Sequence, residues 1–158
     1  MSLNIRRVVT GHDAHGRAVI KIDEISTNRR SSRPGHSAAV IWTTQGYPVD
    51  NDGDEDTQGR APSGTIADGS VFRIIEYGPG VAPRMHRTDT IDYAVVISGE
   101  IDMRLDEETV HLRAGDVIVQ RGTLHDWVNN GTEPCIIAFV LIGARPVTVG
   151  GESLTAKG

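Results

Sequence analysis

From Ser70 to Ile142 the chain changes between apolar and polar residues with a rhythm that leaves few folds open. Ile101, Met103 and Leu105 alternate with Glu100, Asp102, Arg104 and Asp106, the period of a strand with one face in a core and one in water. Val71 to Tyr77 reads as a strand, and Tyr93 to Ser98 is apolar on both faces, as expected of a strand buried on both sides. Turn signals follow in order: Gly99, Asp106-Glu107-Glu108, Ala114-Gly115-Asp116, Arg121-Gly122-Thr123 and Asn130-Gly131. Between them lie Val110 and Leu112, Val117 to Val119, a strand through His125, Trp127 and Asn129, and Cys135 to Ile142. Strands repeating about every 8–12 residues, with no internal repeat and no helical pattern, predict an all-β sandwich or closed barrel.

The 18 glycines and 7 prolines among 158 residues supply the turns such a chain needs, and the length suits one domain. A formal charge of −5 repels phosphate backbones, so no nucleic-acid partner is expected. Cys135, alone and flanked by Ile136, Ile137 and Phe139, predicts a buried, inert thiol. The start Met1-Ser2-Leu3-Asn4 shows no basic-then-apolar leader, and no apolar run approaches about 18 residues. The expectation is a cytoplasmic protein with no membrane partner.

Ahead of the strands, residues 5–24 read as a hairpin turning at Gly11 to Gly16, residues 26–36 as irregular, and Ala38 to Trp42 as a short strand. Tyr47 to Gly69 is a long loop carrying Asp50, Asp52, Asp54, Glu55 and Asp56. It lacks the twelfth-position glutamate of a calcium loop and is expected to be solvated and mobile. The chain after Gly143, small and polar, is expected to fray.

Six histidines are present, and the spacing of two is specific. Gly80, His86, Thr88, Asp92 and Gly99 form one set, and Gln120, Gly122, His125 and Asn129 a second. In this order, with hairpins between them, the two sets resemble the paired motifs of the cupin superfamily over Glu76 to Gly131. The resemblance implies a cupin-type double-stranded β-helix, a jelly-roll barrel. As a single small domain it divides into an N-terminal hairpin arm (1–36), the long loop (47–69) and a barrel core (about 70–143).

The resemblance also implies one divalent metal ion (Fe, Mn, Ni or Zn) held by His86, Asp92 and His125. Three positions depart from the pattern: Thr88 replaces a second histidine, Asp92 a glutamate and Gln120 a proline. What remains is a two-histidine, one-carboxylate set that leaves coordination positions open. A histidine–aspartate pair without metal is the alternative, and Asp92 has Arg84 and Arg87 as competing partners. Thr88, Arg84, Glu76, Gln120, Trp127 and Asn129 are pocket candidates, Trp127 and Asn129 because they share the parity of His125. Arg84, Arg87 and Arg121 flank the ligand positions and are candidates for holding a carboxylate. His12 and His15 read as turn surface, His36 and His111 as exposed.

Many chemistries share such a barrel. The first expectation is a metal-dependent enzyme acting on a small oxygenated organic acid by decarboxylation, isomerisation or elimination. The alternatives are an Fe(II)-dependent dioxygenase and a non-catalytic module that binds a small ligand. A homodimer is expected, with the N-terminal strands added to the neighbour's sheet.

Overall fold

The strands follow the expected turns closely. The computed structural model describes residues 3–61 and 64–158. Met1 and Ser2, where the leader expectation begins, and positions 62–63 of the long loop lie outside the described residues. Thirteen strands and no helix occur among the described residues, so no helix is long and apolar enough to cross a membrane. An N-terminal hairpin pairs β1 (Arg6–His12) with β2 (Ala18–Ile25). The barrel follows: β3 (Arg29–Arg30), β4 (His36–Gln45), β5 (Gly69–Tyr77), β6 (Thr90–Ser98), β7 (Glu100–Arg104), β8 (Thr109–Arg113), β9 (Val117–Arg121), β10 (Asp126–Val128) and β11 (Cys135–Gly143). A second hairpin, β12 (Val147–Val149) with β13 (Glu152–Leu154), ends the chain.

The larger sheet runs β3-β4-β5-β11-β6-β9 and the smaller one β10-β7-β8, every pair antiparallel. Side chains from both sheets meet in one core. Val71, Ile75, Val96, Ile137, Phe139 and Leu141 come from the larger sheet, and Ile101, Met103, Leu112 and Trp127 from the smaller. β11 is central because alternate residues from Cys135 to Leu141 face that core. A fully buried side chain such as Ile137 contributes about 1.5–3 kcal/mol. Gly99 joins the two sheets at φ 76°, a left-handed conformation glycine adopts freely, and a Cβ there would collide with the Pro134 carbonyl. This is the two-sheet jelly roll that the motif resemblance implies, one form of the sandwich or closed barrel that the alternation predicts.

Four expectations are corrected. The larger sheet starts before residue 70: β4 is ten residues long, and β3 pairs with it inside the stretch read as irregular. Tyr93–Ser98 is not buried on both faces, since Tyr93, Val95 and Ile97 lie exposed on the outer side. The long loop is solvated only in part. Asp56 pairs with the buried Arg7 guanidinium, Thr57 exchanges hydrogen bonds with Thr43, and Ala61 sits in the core at 3 % exposure. Hydrogen bonds to a charged group are worth about 1.5–3 kcal/mol, enough to hold a polar segment down. The chain after Gly143 does not fray. β12 and β13 pair, the Lys157 backbone pairs with Arg87, and the Gly158 carbonyl accepts from Arg84 Nη2 at 3.0 Å.

The N-terminal arm packs on its own chain. Leu3 and Ile5 cover Ala39, Ile41 and Ile74 on the outer face of the larger sheet, and Arg7 Nη1 donates to the Ile41 carbonyl at 3.2 Å.

Candidate functional site

His86 follows the Gly78-Pro79-Gly80 turn and His125 precedes β10; a two-residue antiparallel bridge joins them. Each backbone N–H donates to the other's carbonyl at 2.9 Å, and the rings lie with centroids 4.3 Å apart. His86 Nδ1 donates to the Arg84 carbonyl at 2.8 Å and His125 Nδ1 to the Thr123 carbonyl at 2.9 Å. A carbonyl can only accept, so each ring carries its proton on Nδ1 and leaves the Nε2 lone pair for the site. Burial pushes His86 down to about 4, aided by the neighbouring His125, and burial lowers His125 as well. Both imidazoles are therefore neutral near pH 7, the form that binds a metal.

Asp92 stands directly opposite Gln120 across the β6–β9 pair. Its Oδ1 accepts from Thr90 Oγ1 at 2.6 Å and its Oδ2 from Gln120 Nε2 at 3.2 Å. Thr90 spends its proton on Asp92, so Thr88 Oγ1 donates to Thr90 Oγ1 at 2.7 Å. Burial raises the Asp92 carboxyl above its ordinary value, against those hydrogen bonds. The Gln120 amide also donates from Nε2 to His125 Nε2 at 3.0 Å, and its Oε1 is buried with no protein partner. Trp127 closes the floor with Tyr77 and Phe139, its ring 5.8 Å and 5.6 Å from theirs and 5.8 Å from His125.

Gln120 lines a cavity of about 920 Å³, and Thr88 and Thr90 line a second of about 200 Å³. Val147 and Leu154 of the C-terminal hairpin line both.

The structure brings His86, His125, Asp92, Gln120, Thr88 and Trp127 together and leaves three pocket candidates outside. Glu76 is the wrong parity: Tyr77 faces the core, so Glu76 faces the outer side, across from Ile136. Asn129 is buried but holds a turn, donating to the Tyr77 and Glu133 carbonyls at 2.9 Å. The Arg84 side chain reaches the C-terminal tail, and only its backbone serves the site. Arg87 also turns away, to the Thr155 carbonyl, so neither arginine competes for Asp92. His36 is half-buried against Tyr77, with rings 5.6 Å apart, rather than exposed. The Cys135 thiol is fully buried and pushed up to about 11, as expected of an inert group.

Three residues of the site escape the motif reading. Thr90 has the parity of Asp92 and was legible from it. Asp126, buried, accepts the Arg84 and Trp127 backbone N–H groups at 3.0 Å and 2.8 Å and so fixes the carbonyl that His86 uses. Arg73 shares the inward parity of Val71 and Ile75.

Two neutral imidazoles, a carboxylate and an orphaned amide oxygen are donors that suit a divalent ion. Among the described residues, no three His, Cys, Asp or Glu side chains are already grouped as a metal cluster, because the Gln120 amide sits between Asp92 and His125. Binding through all three requires that amide to release His125, and its unpartnered Oε1 then has a cation to meet.

A family model described as the cupin domain matches residues 73–142. The chain is 38 % identical over 157 residues to the cupin-domain-containing oxidoreductase fogC of Aspergillus ruber, covering 94 % of this chain and 77 % of that protein. It is 37 % identical over 151 residues to the cupin-domain-containing oxidoreductase virC of Hypocrea virens, covering 90 % and 78 %. Among solved structures, a conserved protein with a double-stranded β-helix domain from Klebsiella pneumoniae superposes with a TM-score of 0.51 at 22 % identity, covering 74 % of this chain and 84 % of that one.

Proposed function

We propose, from the premise that this chain belongs to the cupin-domain family, that it is a metal-dependent oxidoreductase acting on a small oxygenated organic acid. One observation carries the reading: two buried, neutral imidazoles whose tautomers are fixed by carbonyls so that both Nε2 lone pairs are free of protons. The relatives' names favour oxidation over the decarboxylation, isomerisation or elimination expected first from sequence.

His86 and His125 would hold the ion through Nε2, with Asp92 as the carboxylate ligand. A divalent ion with open positions supplies a Lewis acid and, if it is iron, electrons for O2. The chain's own groups do the rest. Arg84 and Thr123 carbonyls orient the imidazoles. Thr88, Thr90 and Asp92 form a hydroxyl chain from the smaller cavity to a carboxylate, a path along which a proton moves to or from Asp92 Oδ1. Trp127, Tyr77 and Phe139 exclude water beneath. The same reading pairs two copies through the exposed apolar face of β6 and β9.

The test is oxygen uptake by protein loaded anaerobically with Fe(II), against a panel of small hydroxy and oxo acids. Acid-dependent uptake that vanishes in His125→Ala is expected. Turnover of the acid without oxygen uptake would instead assign decarboxylation, isomerisation or elimination.

A further inference from the structure

Arg73 lies in mid-β5, and its cross-strand neighbours, Val40 on β4 and Phe139 on β11, both belong to the core. A guanidinium among apolar side chains is costly unless it is paired. Arg73 is not: it makes no ion pair with any described residue, and its buried Nε has no hydrogen-bond partner. Burial lowers its pKa, but an arginine stays protonated in a protein. Asp92 is the anionic site group whose charge it feels, and both oxygens of that carboxylate are already engaged by Thr90 and Gln120.

The long loop comes down onto this cation. A Cβ on Gly64, at φ 90°, would stand 3.1 Å from Arg73 Nη1, so glycine leaves the guanidinium its room. Arg73 and Asp92 lie on opposite sides of β11, facing Phe139 and Leu141. Two strand spacings, about 10 Å, and two residues of offset separate them, a span that an extended arginine and a small acid bridge together.

We infer that Arg73 is the anchor for a substrate carboxylate inside the barrel, holding a small organic acid with its other oxygens toward His86 and His125. A cation with no ion pair among the described residues is complementary to a planar oxyanion that it grips through two N–H groups. The orientation toward the imidazoles rests on the functional reading above; the anion site itself does not need the metal.

The experiment is calorimetric titration of the full chain, with and without chelator, using malonate as probe and malonamide as its neutral counterpart. Malonate should bind with or without chelator, and malonamide at least about tenfold more weakly. Arg73→Met should lose malonate by a similar factor while melting about 2–4 °C higher, because a partly buried cation with no ion pair among the described residues has been removed. Arg73→Lys should retain part of the affinity, and chelator should leave the wild-type malonate affinity unchanged, which separates failure here from failure of the metal reading. Wild type that ignores malonate, equal affinity for the two probes, or Arg73→Met that binds malonate normally would each overturn the inference. So would an Arg73→Met protein that melts lower, since Arg73 would then be structural.

Discussion

Both imidazoles of the site owe their tautomer to the carbonyl two residues upstream, Arg84 for His86 and Thr123 for His125. The motif spacing singled out two histidines that the fold brings side by side, because glycine turns and strand parity are written in the residue order. It said nothing of where the protons sit, since that depends on carbonyls placed by the bridge between the two segments. Gln120 shows the same limit: it reads as a departure from proline, while its grip on Asp92 and His125 exists only once β6 and β9 pair. His36 misleads for a related reason, its neighbours being polar in sequence but Tyr77 and three arginines in space. Burial pushes it down to about 4, so between about pH 4 and 6.5 the unfolded chain binds a proton there that the folded chain does not. Stability is then complete above pH 6.5 and falls as pH drops through that window. Asp92, raised by burial, acts with the opposite sign at the acid end. Thermal melts from pH 7.5 to 4.5 should show Tm falling, less steeply in His36→Asn; an identical slope in that variant would mean His36 is solvated.

At the scale of elements, period-two alternation located β5 to β11 because each strand has one apolar face. It could not say which apolar faces meet solvent. β6 pairs with β9 so that Tyr93 lies opposite Val119 and Val95 opposite Val117, and the outer face they share is open. Val117 is 76 % exposed and Val119 60 %, a contiguous apolar surface of the kind that marks an interface. The N-terminal arm packs on its own sheet, and we propose this open face as the surface through which two copies would pair. Sedimentation should give about twice the 17.0 kDa chain mass, and Val95→Lys with Val117→Lys should return it to one chain. A wild type that sediments as a single chain at micromolar concentration rules the interface out.

Over the whole molecule, the anchored half of the long loop and the paired C-terminal tail were the least legible parts. Each is polar or small in sequence and is held by partners far along the chain: Arg7 and Thr43 for the loop, Arg84 and Arg87 for the tail. Both flank the barrel interior, the loop over Arg73 and the tail beside His86. The barrel core is built from apolar side chains of two sheets and does not include the candidate ligands, so it should fold without an ion, unlike a small zinc module. That independence makes the central claim directly measurable. Equilibrium dialysis against Ni(II), Fe(II), Mn(II) and Zn(II) in turn, with elemental analysis, should find about one ion per wild-type chain for at least one of these metals. His86→Ala and His125→Ala should take up none while keeping the wild-type far-ultraviolet spectrum. Stoichiometric metal in both variants, or none in the wild type with any of the four, would contradict the account.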